Sequence, residues 1–335
     1  MSEHTTITVL SAGTWGISLA TLLHGNGHRV RVWEYDAAVV QTLRDTRRHP
    51  RLKGLEVPEA LEISTDLAAM VQGSAVIVCV VPAVHQRQTC AALRAAGYAG
   101  QLVVICSKGI EQGTHMLMHQ VTVDELGAEH AGRVAVLSGP SHAEEVSLGM
   151  PTAVTAAAES MEVAGQVQRL FMAPRFRVYS HADVLGVELA AALKNVIAIA
   201  CGISDGLGFG DNAKAGLITR GLTEIVRLGL ALGAREETFY GLAGVGDLVV
   251  TCMSVHSRNW KFGSLVGGGT PPEQALTDVG MVVEGYHTVR AAVELAAEHG
   301  VDMPITKAVG AVLFQGLDPL QSVAGLMLRD AKSEF

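Results

Sequence analysis

Lys194 lies in residues 186–201, a run with the length and apolar content of a core helix. Taking an ammonium out of water disfavours its charged form and draws its pKa toward neutrality, where it can exchange protons with a reactant. The bland alternative is a lysine whose stem follows the helix while its head snorkels to the surface. Other residues carry chemistry of their own. Lys108, in Ser107-Lys108-Gly109, follows an apolar strand-like run. In an open parallel sheet the ligand crevice lies beyond the carboxyl ends of the strands, so this lysine is expected to point into it. Ser138-Gly139-Pro140-Ser141-His142-Ala143-Glu144 repeats the arrangement after the next strand. The spacing of Ser141 and Glu144 predicts a capping box at a helix start with free backbone N–H groups. Ser257-Arg258-Asn259 joins a cap, a guanidinium and an amide at another helix start, a set suited to a phosphate. Gly244-Val245-Gly246-Asp247 reads as a glycine turn ending in an acid, with Thr251 four residues on.

Near the N-terminus, Ser11-Ala12-Gly13-Thr14-Trp15-Gly16 follows a strand-like run and opens a helix. This is a dinucleotide fingerprint with serine in place of its first glycine. Gly13 lets the backbone approach a pyrophosphate, Gly16 lets the helix pack on the strand, and the helix N-terminus faces the negative charge. An ordinary glycine turn is the alternative, and the βαβ context favours the functional reading. Ser11 puts a side chain where none is usual, so an altered turn with binding retained is expected. At the end of the second strand stands Glu34-Tyr35-Asp36. An acid about twenty residues past the glycines takes the ribose hydroxyls of NAD and repels the extra phosphate of NADP. The lean is to NAD, although Arg29, Arg31, Arg47 and Arg48 lie close enough in sequence to serve a 2′-phosphate. His115 and His119 have a spacing that could hold a metal, but a solvated helix face is the expectation and no metal is proposed.

These residues need a scaffold to hold them. Residues 7–10, 28–33, 75–81, 102–106 and 133–137 read as strands, continuous apolar runs of the kind found in a parallel sheet covered on both faces. Residues 153–157 and 176–179 add two more. Residues 17–24 and 83–96 read as crossover helices, and the alternation implies a doubly wound α/β domain. Beyond about Ser180 the strands give way to helices at 184–201, 212–232, 257–265, 282–299 and 305–314, with residues 267–272 as a loop. The reading is therefore an N-terminal Rossmann domain over residues 1–179 and an all-helical substrate domain over residues 180–335.

Composition narrows the classes. A 335-residue chain that is 49% apolar can bury two cores. Its net charge of −8 and scarce aromatics argue against a nucleic-acid binder. Five scattered cysteines without a C-x-x-C pair suit a reducing, cytoplasmic setting. No basic leader is read in the first residues, and no apolar run reaches membrane-span length without a charge.

So many motifs in one order are specific. The chain resembles bacterial NAD(P)-dependent sn-glycerol-3-phosphate dehydrogenases over nearly its whole length. The resemblance rests on residues 11–16, 107–109, 137–145, 176–179, 193–198, 204–214, 217–221, 246–248, 251–252, 257–259, 282–285 and 303–306. The family usually has glycine at the position of Ser11. The resemblance implies a Rossmann domain followed by helices, as in 6-phosphogluconate dehydrogenases. It also implies a homodimer and reversible hydride transfer between sn-glycerol 3-phosphate and NAD(P)+, giving dihydroxyacetone phosphate and NAD(P)H, with the reverse reduction supplying glycerol 3-phosphate for phospholipid synthesis. By the same implication Lys194 accepts the C2 hydroxyl proton. Lys108, Gly139, Ser141, Asp247, Ser257, Arg258 and Asn259 contact substrate, joined by Asn195 and Thr251. Thr14, Trp15, Tyr35, Lys108, Ala143, Arg258, Val282 and Glu284 hold the cofactor beside Ser11, Gly13, Gly16 and Glu34. Lys108 is expected to stabilise charge on the reacting oxygen and Asp247 to orient Lys194. A β-hydroxyacid or 6-phosphogluconate-type dehydrogenase is the enzyme alternative. A dinucleotide sensor without chemistry is the other, although a sensor would need none of Lys108, Lys194 and Asp247.

Overall fold

The apolar, β-branched runs of the first half form a single sheet in the computed structural model, which describes residues 4–331, 333 and 334. Met1, Ser2 and Glu3, part of the segment read as lacking a leader, lie outside the described residues. The chain divides into two compact units, residues 1–108 with 116–188, and residues 109–115 with 189–335.

The first unit holds β1 (Thr6–Leu10), β2 (Arg29–Trp33), β3 (Glu62–Ser64), β4 (Val76–Cys79), β5 (Leu102–Ile105), β6 (Val134–Ser138), β7 (Thr152–Ala158) and β8 (Phe176–His181). Their order across the sheet is β3-β2-β1-β4-β5-β6-β7-β8. Helices α1 (Thr14–Gly25), α2 (Ala37–Thr46), α3 (Leu67–Val71), α4 (Gln86–Ala95), α5 (Met118–Leu126), α6 (Ala143–Ser147) and α7 (Met161–Phe171) connect the strands. Inward residues such as Val9, Val32, Val78, Val104 and Leu137 are fully or almost fully buried and form one core. The expected α/β architecture is present, with one correction. β6 and β7 pair antiparallel and β8 runs parallel to β7, so the last two strands oppose the rest. A parallel return would have needed a crossover as long as the strand. Five-residue α6 rises only about 7 Å, while five-residue β6 extends about 16 Å. The chain therefore turns back.

The second unit is helical throughout: α8 (Val184–Gly206), whose first five residues count with the first unit, α9 (Asp211–Ala231), α10 (Glu236–Phe239), α11 (Asp247–Met253), α12 (Arg258–Gly267), α13 (Pro272–Val279), α14 (Glu284–Glu298), α15 (Pro304–Phe314) and α16 (Pro319–Met327). α8 is long and apolar enough to cross a membrane by length and composition. However, 94% of its most apolar window is buried inside the protein, which makes it a core helix. It packs on α12 through backbone contact. A Cβ on Gly202 would come within 2.2 Å of the Trp260 carbonyl oxygen, and one on Gly263 within 2.2 Å of the Ile199 carbonyl oxygen. The Met303-Pro304-Ile305-Thr306 motif starts α15, and Glu224 from α9 caps it. The Glu224 carboxylate accepts the N–H groups of Ile305 and Thr306, at 2.6 and 3.1 Å, and the Thr306 hydroxyl. Burial raises the Glu224 pKa, and those hydrogen bonds work against the rise.

Histidines 115 and 119 each pair with carboxylates. His115 contacts Glu294 and Glu298 of α14, at 2.9 and 3.2 Å, and His119 pairs with buried Glu188. All five cysteines are free and buried, and burial pushes the Cys106 thiol up to about 12.

Candidate active site

In the first unit the dinucleotide turn closes β1 onto α1. The expected alteration at Ser11 does not occur. The residue keeps a glycine-like backbone, with φ 95°, because both its ends are fixed. Its N–H donates to the Trp33 carbonyl at 2.8 Å, and its own carbonyl packs so tightly on α1 that a Cβ at Gly16 would come within 2.0 Å. Gly13 is the N-cap of α1 and makes no side-chain cap, leaving first-turn N–H groups to a ligand. A Cβ there would meet nothing closer than the Ser11 hydroxyl at 3.6 Å. Open backbone over an uncapped helix start fits a pyrophosphate. Thr14 and Trp15 form the first turn and are half-buried, whereas Tyr35 is 80% exposed. Ala143 starts α6, and its carbonyl accepts the Ser18 hydroxyl of α1 at 3.1 Å.

Glu34 is more enclosed than a ribose ligand on an open edge. It is 5% exposed, and its Oε2 accepts the Ala12 N–H at 2.7 Å. His49, absent from the residues singled out in the sequence, hydrogen-bonds to the Ala12 backbone and faces Arg51 and Glu144. Burial and Arg51 lower its pKa against the opposing pull of that bond and Glu144. Nothing in its local spacing signals this position.

Lys108 leaves β5 and donates from Nζ to the Gly139 carbonyl at 3.4 Å, bringing together the two strand-end turns. Gly139 has φ 149°, and a Cβ there would meet the Val154 Cα at 2.8 Å, so the turn requires glycine. The capping box expected at Ser141 is not formed. α6 starts one residue later than that box requires, on an N-cap His142 without a side-chain cap, while the Ser141 hydroxyl donates back to the Gly139 carbonyl at 3.0 Å. The turn below Lys108 has a further support that no motif announces. Fully buried Gln86 accepts the Ser107 hydroxyl at 3.1 Å and donates to the Thr122 hydroxyl at 2.9 Å.

In the second unit Lys194 is 5% exposed, as a snorkelling lysine would not be. Its ammonium pairs with the Asp247 carboxylate and donates to the Thr251 hydroxyl at 2.8 Å. Thr251 in turn donates to the Asp247 carbonyl at 2.6 Å. The glycine turn expected before Asp247 is instead a wide helical turn, Leu242–Gly246, broken at Gly244 and running straight into α11. Gly244 is required there, since a Cβ would come within 2.0 Å of the Phe239 carbonyl oxygen.

Ser257 caps α12 by accepting the Trp260 N–H at 3.2 Å, which leaves its hydroxyl proton to donate. Half-buried Arg258 begins the helix. Asn259 is turned inward. It donates to Asn195 Oδ1 at 2.9 Å and accepts the Gly285 N–H at 2.9 Å, while Asn195 also donates to the Ala191 carbonyl at 3.3 Å. These two amides therefore tie α8, α12 and the start of α14, where Val282 and Glu284 lie.

A glycine turn at the head of a Rossmann sheet, with a buried lysine–aspartate pair in a helical unit, defines a dinucleotide-dependent dehydrogenase. Comparison with known proteins narrows the class. Residues 6–164 match the N-terminal model of NAD-dependent glycerol-3-phosphate dehydrogenase, and residues 183–324 match its C-terminal model. Glycerol-3-phosphate dehydrogenase [NAD(P)+] of Geobacillus kaustophilus is 50% identical over 98% of this chain and 96% of its own. The corresponding protein of Chlorobium chlorochromatii is 47% identical over 98% and 99%. A crystal structure of glycerol-3-phosphate dehydrogenase from Coxiella burnetii superposes with a TM-score of 0.92 at 39% identity, covering 97% of this chain and 99% of that one. The chain belongs to the NAD-dependent glycerol-3-phosphate dehydrogenase family and is an NAD(P)-dependent oxidoreductase.

Proposed function

We propose that this chain interconverts sn-glycerol 3-phosphate and dihydroxyacetone phosphate and so supplies glycerol 3-phosphate to phospholipid synthesis. The observation that carries the reading is the buried Lys194, paired with Asp247 and Thr251 in a family member whose other half bears an open dinucleotide turn. Lys194 removes the C2 hydroxyl proton during oxidation. Paired with Asp247 as an ammonium it is the proton-donating form, the one that carbonyl reduction calls for. Asp247 and Thr251 hold its head in one direction. Lys108 donates to the oxygen on which charge develops, within a turn set by Gly139 and Ser141. Arg258, the Ser257 hydroxyl and the first N–H groups of α12 take the substrate phosphate, and that remote binding energy fixes the reacting carbon. Asn195 and Asn259 act by holding these helices in register. A bound nicotinamide would supply the hydride chemistry at C2.

Gly13, Thr14, Trp15 and Gly16 hold the dinucleotide, with Tyr35, Ala143, Val282, Glu284 and Arg258 completing its contacts. The Glu34 carboxylate beside the turn supports a preference for NAD over NADP. Reduced, buried thiols support a cytoplasmic setting, and a homodimer is part of the reading.

Oxidation of NADH and NADPH with dihydroxyacetone phosphate, set beside pyruvate and other carboxylate carbonyls, tests the proposal. Turnover with the phosphorylated ketone and little with the carboxylates is expected. A carboxylate requirement would point to a β-hydroxyacid or 6-phosphogluconate-type enzyme, and tight NADH binding without turnover to a sensor.

A further inference from the structure

Three non-glycine residues have positive φ among the described residues, and Ser11, at 95°, lies furthest from the left-handed helical value near 57°. Such a conformation persists only where the surroundings over-determine it. The fixed N–H and carbonyl of Ser11 do so, and the resulting turn aims the Ala12 N–H at Glu34 Oε2, 2.7 Å away. The Ser11 hydroxyl lies beside the same oxygen, donating to it at 3.5 Å while accepting the Gly13 N–H at 3.3 Å. The other oxygen, Oε1, accepts the Asp36 N–H at 3.3 Å. A glycine at residue 11 would give the same backbone without strain but no hydroxyl. The serine therefore exchanges an unstrained turn for a contact between the turn and the acid.

That contact has a consequence at the end of β2. A free carboxylate can rotate away from an incoming phosphate dianion, whereas one held through both oxygens must meet it. We propose that Ser11 is a positioning residue for cofactor choice, pinning the Glu34 carboxylate beneath the dinucleotide turn so that it repels a 2′-phosphate. The inference rests on the reading of Glu34 as the group that favours NAD.

The experiment compares kcat/KM for NADH with that for NADPH in the native protein, Ser11→Gly, Ser11→Ala and Glu34→Gln. Glu34→Gln should lower the NADH/NADPH ratio at least about tenfold, as expected for loss of a like-charge clash. Both Ser11 variants should lower it about threefold, the low end of the net worth of one hydrogen bond, as suits a contact of 3.5 Å. Ser11→Gly should also raise Tm by relieving the positive φ, whereas Ser11→Ala should not. A merely structural serine would change Tm and both cofactors together, leaving the ratio fixed. If Glu34→Gln lowers the ratio and both Ser11 variants retain it, the inference is overturned and the NAD reading stands. If Glu34→Gln leaves the ratio unchanged, the NAD reading fails and takes the inference with it.

Discussion

An ammonium inside a protein needs partners in place of water, and Lys194 has a carboxylate and a hydroxyl from the same helix, α11. Asp247 and Thr251 are one helical turn apart, so together they fix the direction of the lysine head as one group would not. The resemblance puts Asp247 in the site; no spacing rule reaches a partner 53 residues away. Arg258 belongs to the same scale. If it takes the substrate phosphate as proposed, replacing it with alanine should raise KM for dihydroxyacetone phosphate on the order of tenfold to a hundredfold with a smaller change in kcat. Steady-state kinetics check this, and a pure kcat effect would contradict the phosphate role.

At the scale of elements, the glycines of α8 and α12 bring Lys194 and the Ser257-Arg258 start into one framework. Gly202→Ala would force its methyl into the Trp260 carbonyl. It should cost about 2 kcal/mol by overpacking, measured by urea unfolding, and an unchanged midpoint would contradict the contact. The continuous strands and the long helices were legible because their apolar runs are unbroken. β3 was not, since Glu62–Ser64 is three residues with a single apolar side chain. α11 hid behind the glycines of residues 244–246, whose role is close approach to Phe239 and not a reversal of the chain. The reversal at β7 escaped because β-propensity carries no direction. The capping box at Ser141 failed for a local reason, the competing acceptor at Gly139. Glu224 explains why Met303-Pro304-Ile305-Thr306 is a helix start without a local cap, a long-range contact that reading along the chain does not reveal.

For the molecule as a whole, pH acts through a few buried pairs. Burial disfavours a charged His119, but the Glu188 carboxylate, aided by Glu159, outweighs it and raises the His119 pKa above its usual value. Because the folded value is the higher, this pair stabilises fully below about pH 6.5 and loses its contribution as pH rises through the folded value. His119→Gln should therefore lower Tm most in mild acid, and the gap from the native protein should shrink above neutrality. Thermal melts across that range check it, and a constant gap would contradict the pair. Lys194 belongs to one unit and the dinucleotide turn to the other, so the roles proposed for them should separate when one residue is removed. The direct test is Lys194→Ala, assayed for dihydroxyacetone phosphate reduction and, separately, for NADH affinity by fluorescence titration. The account predicts that kcat falls about a thousandfold while the NADH Kd stays within about threefold of native. Near-native turnover, or equal loss of turnover and NADH binding, would contradict Lys194 as the group that moves the proton.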